Sequence, residues 1–372
     1  MDIIELAKIR KMVGGSGGGG GGGTGGGDSG EEWIGDGKTH LWIKIDAEGR
    51  MDVPLHFTQT VANGVSIDWG DGSAMKTLSG AGQVNTTHHY ASIGEYVITL
   101  DVADGCTIGL GHGSPGYVAI GGTQYPNTYS NMLQKVEIGN GVTSIGNSAF
   151  YNCYSLASVV IPEGVTSIVD YAFYNCYSLA SVVIPEGVTS IGKYAFGNCY
   201  SLASVVISEG VTSIGDSAFN NCYSLASVVI PEGVTSIGNY AFSYCYSLAS
   251  VVIPEGVTSI GNSAFVNCYS LASVVISEGV TSIVDYAFYN CYSLASVVIP
   301  EGVTSIGNYA FRGCTGMKFY DFTKHTSVPT LAGTGAFNNI SSDCKIRVPA
   351  ALYDEWISAT NWSTYANKIV TV

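Results

Sequence analysis

The chain has 372 residues, but only 12% of them are charged, against about 25% in an ordinary soluble protein. Its 29 acidic and 15 basic residues give a net charge of -14, which excludes a nucleic-acid-binding protein, because such binding needs clustered Lys and Arg. Hydrophobic residues make up 46%, yet no apolar run approaches the about 20 residues of a membrane span, which excludes a membrane-spanning protein.

Residues 1–13, MDIIELAKIRKMV, predict a short amphipathic helix with acidic residues early and basic residues late. Its apolar face is formed by Ile3, Ile4, Leu6, Ile9 and Val13. The segment lacks the basic start, apolar core and cleavage site of a Sec signal peptide. Because helices under about 12 to 15 residues are marginal alone, we expect a docking helix.

Residues 14–30 are rich in glycine and predict a flexible linker with a reach of about 20 Å. The leader IIELAKIRKMVGGSGGGG resembles those of phage minor structural and tail-associated proteins. The resemblance implies attachment to a virion, with display that needs no Sec signal. Display on a bacterial surface and an expression scar are the alternatives.

Residues 31–105 predict a small β-sandwich, because THLWIKI, VPLHF, VSIDWG and GEYVITLDV alternate between turn residues. Residues 69–73 (WGDGS), 88–90 (HHY) and 94–100 (GEYVITL) resemble motifs of the polycystic-kidney-disease (PKD) domain. The resemblance implies an immunoglobulin-like fold that acts as a spacer or contacts carbohydrate or protein. Residues 106–132 are expected to connect this unit to the next and to cap its first coil.

Four polar residues of this region are candidates for a metal site. Asp68 and Asp71 could bind calcium, but turn aspartates more often bond to nearby backbone amides. His88 and His89 are adjacent in a predicted strand, so they point to opposite faces and make poor joint ligands. We therefore expect no metal and no cofactor.

From Leu133 the sequence repeats every 23 residues, giving eight copies of LASVVIPEGVTSIVDYAFYNCYS over residues 133–316. A period in the twenties with Leu, Val and Ile at fixed positions predicts a leucine-rich solenoid. The predicted fold class is mainly β: a leucine-rich-repeat solenoid of eight 23-residue repeats with a C-terminal cap, preceded by a small immunoglobulin-like β-sandwich. The pattern LxxVxIPxGVTSIGxxAFxxCxS resembles the BspA-like leucine-rich repeat family, which implies adhesion or binding through a curved face and no catalytic residues.

Within each repeat, the strand residues equivalent to Leu156, Val159 and Ile161 should point inwards. The return segment is expected to be a short strand followed by a helical turn, with an inward side equivalent to Val165, Ile168, Ala172, Phe173 and Cys176. Each coil buries its interior only against its neighbours, so a lone repeat should not fold.

Outward side chains of the repeat strands form the first candidate binding surface, an uncharged and mildly apolar concave strip. We call it the Ser/Val strip, and its members are Ser158, Val160, Ser181, Val183, Ser204, Val206, Ser227, Val229, Ser250, Val252, Ser273, Val275, Ser296 and Val298. A second candidate is a Tyr ladder beside the cysteines, for stacking on sugars or for packing over the coil edge. Its members are Tyr154, Tyr177, Tyr200, Tyr223, Tyr246, Tyr269 and Tyr292.

Residues 317–372 are expected to form a degenerate repeat and a cap made of a strand and a helix. Trp356 and Trp362 are either core of this cap or a ligand platform, and the core interpretation is favoured because terminal repeats need atypical faces.

These patterns predict a non-enzymatic binding or adhesion protein, displayed on a phage particle or bacterial surface, that recognises a host-surface protein or glycan. The alternative is a structural component whose solenoid is a spacer. An enzyme is less well supported, because no Ser/His/Asp set or carboxylate pair recurs with usable spacing. An attached fibre or tail protein is often a trimer, so a homotrimer is one expected assembly.

Eight cysteines share one repeat position, where neighbours about 5 Å apart lie within disulfide range. Pairing would break the symmetry of the repeat, so we favour reduced, buried thiols over disulfides. Thiol titration of the denatured protein should therefore recover all ten cysteines of the chain. Recovery of only one or two thiols would contradict this interpretation.

Overall fold

The computed structural model describes residues 33–111, 117–120, 122–123, 129 and 131–372. Strands make up 31% of the protein and helices 5%, and the strands form a solenoid of about 10 turns. The predicted mainly β solenoid is thereby confirmed. The predicted docking helix (1–13) and glycine-rich linker (14–30) lie outside the described residues.

Nine described strands precede the repeats, with a 3-10 turn at Glu48–Arg50. They are β1 (Thr39–Ile45), β2 (Asp52–Gln59), β3 (Val65–Asp68), β4 (Lys76–Thr77), β5 (Gly82–His89), β6 (Gly94–Val102), β7 (Ile108–Leu110), β8 (Tyr117–Val118) and β9 (Gly122–Thr123). The alternating segments predict β1, β2, β3 and β6, and these strands are confirmed. The alternation of apolar and polar residues does not predict β5. Most of its residues are polar, and only Val84 and Thr86 are buried.

Strands in each repeat form two rows. The first row contains β10 (Leu133–Glu137), β12 (Ser158–Val160), β14 (Ser181–Ile184), β16 (Ser204–Ile207), β18 (Ser227–Val228), β20 (Ser250–Ile253), β22 (Ser273–Ile276) and β24 (Ser296–Val298). The second row contains β11 (Val142–Ile145), β13 (Ser167–Ile168), β15 (Ser190–Ile191), β17 (Ser213–Ile214), β19 (Ser236–Ile237), β21 (Ser259–Ile260), β23 (Ser282–Ile283) and β25 (Ser305–Ile306). Paired strands within a row are parallel and come from successive repeats, so that equivalent residues lie opposite each other. For example, Ser181 lies opposite Ser204.

Both rows continue into the N-terminal strands. In the first row, β10 pairs antiparallel with β1 and parallel with β12. In the second row, β7 pairs antiparallel with β2 and parallel with β11. The N-terminal strands therefore cover the backbone edge of the first coil. Strand β7 belongs to the segment that is expected to connect the two units and cap this coil, and it pairs with β11 in the second row.

The interior of the solenoid is built from the side chains that the repeat predicts. Leu156, Val159 and Ile161 are buried, as are Phe173, Cys176 and their equivalents in the other coils. The phenylalanines stack from Phe150 to Phe311 with ring centroids 5.0–5.4 Å apart. The inward assignment is therefore confirmed.

The return segment differs from its prediction, because a pair of turns replaces the expected helical turn after the short strand. Tyr171 (φ 58°) and Asn175 (φ 62°) adopt the left-handed conformation, and most other coils repeat both positions. The N–H groups of Tyr171, Phe173 and Asn175 then point to the next coil and donate to carbonyl oxygens at 2.7–2.9 Å. A helix would direct these donors along its own axis and lose the hydrogen bonds between coils.

Asparagines at the second left-handed position form an Asn ladder along the solenoid. The amide of Asn175 donates to that of Asn152 at 2.6 Å, and Asn198 donates to Asn175 at 2.7 Å. Two further contacts continue the pattern, from Asn221 to Asn198 and from Asn290 to Asn267. Asparagine suits this place because it tolerates positive φ and satisfies its own buried amide.

All ten cysteines are free and buried, which agrees with the expected reduced thiols. Each of the seven from Cys176 to Cys314 has its Sγ 3.2–3.3 Å from the carbonyl oxygen of a Phe in the preceding coil. The thiol therefore fills space and also gives that carbonyl a second donor.

The C-terminal end contains β26 (Phe319–Asp321), β27 (Thr330–Leu331), β28 (Lys345–Val348), helix α1 (Tyr353–Ser358) and β29 (Ile369–Thr371), with 3-10 turns at Ala350–Leu352 and Trp362–Tyr365. Trp356 and Trp362 are buried, and the indole of Trp362 donates to Pro329 O at 2.7 Å. The prediction that both tryptophans are cap core is confirmed.

The buried thiols predict a loss of stability in alkaline solution. Burial raises the pKa of Cys153 and Cys268 from an ordinary value of 9.0 to about 12. Because the folded state keeps these protons longer than the unfolded state, their stabilising contribution is complete below pH 9.0 and is lost between 9.0 and about 12. Each such thiol should remove about 1.4 kcal/mol from the unfolding free energy per pH unit in that window.

Urea denaturation at a series of alkaline pH values would measure this slope, with Cys222→Ala as the matched variant. Burial also raises the pKa of Cys222, so its removal should reduce the slope by one proton. Stability that does not change with pH above 9.0, or equal slopes for both proteins, would contradict the prediction.

Candidate binding surface

The outward side of the first strand row, which we call the strand face, carries the Ser/Val strip. Its residues alternate with buried ones as predicted, since Ser158 and Val160 flank the buried Val159. Val229, Val252, Val275 and Val298 are 53–65% exposed, whereas Val160, Val183 and Val206 are half-buried. The open apolar part of the strip therefore lies in the C-terminal half of the solenoid.

Aromatic and cationic side chains stand at the N-terminal end of the strand face. Strand pairing places Trp42 opposite Lys135, and Lys135 opposite Ser158. The Lys135 Nζ lies 3.7 Å from the ring centroid of Trp33 and 4.6 Å from that of Trp42. This cluster continues the serine row of the strip beyond the repeats.

A similar pair closes the C-terminal end. Ser296 lies opposite Phe319, and Phe319 lies opposite Lys345. The guanidinium of Arg347 lies 3.7 Å from the Phe319 ring centroid. Sequence reasoning misses both end clusters, because all their members except Lys135 lie outside the repeats and meet the strip only through strand pairing.

The Tyr ladder runs along one side of the strand face. Neighbouring rings are stacked with centroids 4.6–4.9 Å apart and planes within 5–16° of each other. Burial and the neighbouring phenols Tyr200 and Tyr154 raise the pKa of Tyr177 to about 12. The inner rings cover one another's faces, so they present edges and hydroxyls to solvent. Packing along the coil edge is observed, and a binding role for the Tyr ladder stays a prediction.

An acidic row bounds the other side of the strand face, at the turn after each strand. One exposed glutamate from each of the last seven repeats forms it: Glu163, Glu186, Glu209, Glu232, Glu255, Glu278 and Glu301. The 23-residue spacing of these glutamates in the sequence is the signal that reveals the row. Together the two rows enclose an uncharged floor between a hydroxyl-bearing aromatic edge and an anionic edge.

The three motifs of the N-terminal unit meet in one cluster. The rings of Trp69 and His88 stack at 4.7 Å, and the Tyr90 hydroxyl donates to Trp69 O at 2.8 Å. His88 also contacts Asp71, with Nε2 and Oδ2 2.7 Å apart. Although burial opposes ionisation, hydrogen bonds from Ser73 and His88 lower the pKa of Asp71 to about 2.

The metal candidates have structural partners instead. Asp68 and Asp71 accept backbone N–H bonds from Gly70 and Ser73 at 2.9 and 3.0 Å, as turn aspartates do. His89 contacts Asp52 rather than the carboxylate that His88 uses. Within the described ranges, the structure holds no group of three or more His, Cys, Asp or Glu side chains placed for a metal ion.

Among the described residues, none of the helices has the length and apolar character needed to cross a membrane.

Comparison with known families identifies the repeats. The profile of the BspA type leucine rich repeat region matches residues 124–249 and 235–354. Together these matches cover more than half of the chain. A search of curated proteins gave no significant match.

Solved structures with significant similarity include bacterial leucine-rich repeat proteins. The T. pallidum leucine rich repeat protein is 34% identical, with 50% of this chain and 83% of that chain covered and a TM-score of 0.42. A leucine rich cell surface protein from Faecalibacterium prausnitzii is 28% identical, with 62% and 81% covered and a TM-score of 0.34. The pneumococcal vaccine antigen PcpA is 18% identical, with 64% and 66% covered and a TM-score of 0.40.

Proposed function

The chain belongs to the BspA-type leucine-rich repeat family, and on that premise we propose that it is a non-enzymatic binding or adhesion protein. The recognition surface is the strand face with its Ser/Val strip. One observation carries the proposal: an uncharged floor runs across the seven repeats from Ser158 to Val298, and four of its valines are more than half exposed. Contiguous exposed apolar surface in a soluble protein usually marks an interaction site.

The repetition of the strand face suggests what kind of partner it fits. Every coil offers the same serine and valine about 4.8 Å from those of the next coil. A partner that is itself extended and repetitive, such as a host-surface glycan or a fibrous protein, can occupy several coils at once and gain avidity. The serine and tyrosine hydroxyls supply hydrogen bonds to such a chain, and the valines supply apolar contact.

We assign to the N-terminal region the role of displaying this surface. Residues 1–13 dock to a virion or a bacterial surface assembly, and residues 14–30 act as the tether. The unit over residues 31–105, which resembles a PKD domain, holds the solenoid away from the anchor as a spacer. Strand β1 of this unit pairs with β10 of the first coil, and β2 reaches the second row through β7, which supports a rigid spacer. Assembly as a homotrimer would present three solenoids together.

Charges introduced on the strand face should abolish binding. The double variant Val252→Glu, Val275→Glu places two carboxylates on the most open part of the strip, where contact with a partner would desolvate them. We expect at least a tenfold loss of affinity for bacterial cells or immobilised glycans, equivalent to about 1.4 kcal/mol. Pull-down on cells and a glycan array would measure it.

The matched control places the same charges on the other side of the same coils. Thr258→Glu, Thr281→Glu changes two exposed threonines next to the second strand row, and it should leave binding unchanged. Unfolding curves would establish that both variants fold. Equal binding by both variants would refute the strand face as the recognition surface, and absence of any binding by the wild type would favour a structural spacer.

Deletion of residues 1–13 should remove the protein from its particle, because these residues carry the proposed docking face. Immunoblotting of purified particles would measure incorporation. As a control, shortening the glycine tract within residues 17–23 should leave incorporation intact, since it changes reach but not the docking face. Normal incorporation of the deletion variant would contradict the docking role.

A further inference from the structure

Basic side chains are rare in the repeats, and one of them is held in an unusual environment. Residues 133–316 contain only Lys135, Lys193 and Arg312, against eleven acidic residues. Arg312 lies on the return segment of the last repeat, away from the strand face. Its guanidinium carbon is 5.2 Å from the ring centroid of Tyr309 and 5.9 Å from that of Tyr289.

One buried donor of Arg312 has no partner within the described part of the protein. Its Nε is buried without a hydrogen-bond partner, and none of the described carboxylates lies within ion-pair distance of the guanidinium. A guanidinium presents five N–H donors, and leaving a buried donor unpaired costs about 1–3 kcal/mol. In an acidic solenoid, many positions could have offered this cation a carboxylate. The cation–π contacts stabilise it without using its hydrogen bonds.

Two departures from the repeat produce this environment. Arg312 stands where earlier repeats have Tyr151, Tyr174 or Tyr289, or a small residue. The next residue, Gly313, replaces the asparagine of the Asn ladder and keeps its positive φ of 79°. The Asn290 amide donates back to Asn267 at 2.9 Å, and its oxygen faces Gly313 so closely that a Cβ there would collide with it. An acceptor that the ladder normally uses is therefore left beside Gly313, the residue that follows Arg312 in the chain.

Exposed aromatic surface adjoins the cation. Tyr286 is 39% exposed, and its ring packs against Tyr309 at 5.1 Å and Tyr289 at 5.6 Å. Tyr286 and Tyr309 both adopt positive φ, at 58° in each case, as this position does in the other coils. The turn of the coil therefore fixes where both rings stand, and it places the Tyr309 ring beside the cation.

We propose that Arg312, with Tyr286, Tyr289 and Tyr309, binds the carboxylate of an acidic sugar. The planar guanidinium fork matches a carboxylate and forms charge-assisted hydrogen bonds with it. The exposed ring of Tyr286 accepts the apolar C–H face of the sugar, and the Asn290 oxygen accepts from a sugar hydroxyl. The partly exposed aromatic surface beside the cation favours a sugar over an acidic peptide. The site lies on the return segment, so it is independent of the proposed strand face.

Saturation-transfer NMR and isothermal titration with the full-length protein test this proposal. The probes are glucuronic acid and N-acetylneuraminic acid, with glucuronamide as the uncharged analogue and an Asp-containing dipeptide as the non-sugar carboxylate. Both acids should bind the wild type, and glucuronamide should bind at least about tenfold more weakly, because a charge-assisted hydrogen bond contributes about 1.5–3 kcal/mol.

The decisive variant is Arg312→Tyr, which restores a residue that other repeats carry at this position and should therefore fold. It should lose at least about tenfold in affinity for both acidic sugars. Lys193→Gln, which removes a cation 5.7 Å from the Tyr194 ring centroid, should leave affinity unchanged. Val252→Glu, Val275→Glu should also bind both sugars normally, which separates this site from the strand face.

The proposal would be overturned by no binding of either acid, equal binding of glucuronamide, or unchanged affinity in Arg312→Tyr. Binding of the dipeptide in preference to both sugars would equally overturn it, since the site would then recognise acidic peptide. Thermal unfolding of each variant confirms that a lost affinity reflects the site and not the fold.

Discussion

Backbone hydrogen bonding between successive coils is the constraint on which the structure depends. A single 23-residue coil cannot bury its own interior, so every coil needs a neighbour on each side. The strands, the Asn ladder and the left-handed turns all direct donors and acceptors along the solenoid axis. The ends then need different solutions. At the N-terminal edge, β1 pairs with β10 and β7, itself paired with β2, pairs with β11, whereas β28, β29 and buried Trp356 and Trp362 close the C-terminal edge.

This constraint also shapes the surface. When the same residue type occupies one position in every repeat, its side chains form a row along the solenoid, with neighbours one strand apart. The repeats therefore create rows of serine, valine, tyrosine and glutamate together. Identical rows favour avidity for repetitive partners over discrimination among unique ones. Discrimination requires a departure from the repeat, and Arg312 with Gly313 is such a departure. It places among tyrosines a guanidinium whose buried Nε has no hydrogen-bond partner in the described ranges.

The low charge of the chain follows from the same arrangement. Most repeat positions are used for interior packing, turns or short polar side chains, which leaves little room for charged residues. Glutamates after the strands of the last seven repeats supply most of the acidic residues of the solenoid. Buried thiols fit this scheme because a small, weakly polar side chain fills the coil and donates to a carbonyl without bringing a charge inside.

The sequence by itself determined the solenoid, its inward residues and the cap, because identical local environments recur with a fixed period and alternation reveals each buried side chain. It did not determine the return segment, where hydrogen bonds to the next coil select left-handed Tyr171 and Asn175 over a helical turn. Only the tertiary structure placed Trp42 and Phe319 at the ends of the Ser/Val strip and Tyr289 and Tyr309 around Arg312. Strand pairing and coil stacking bring these residues together. Periodicity does not encode such contacts at the positions where the repeat is broken.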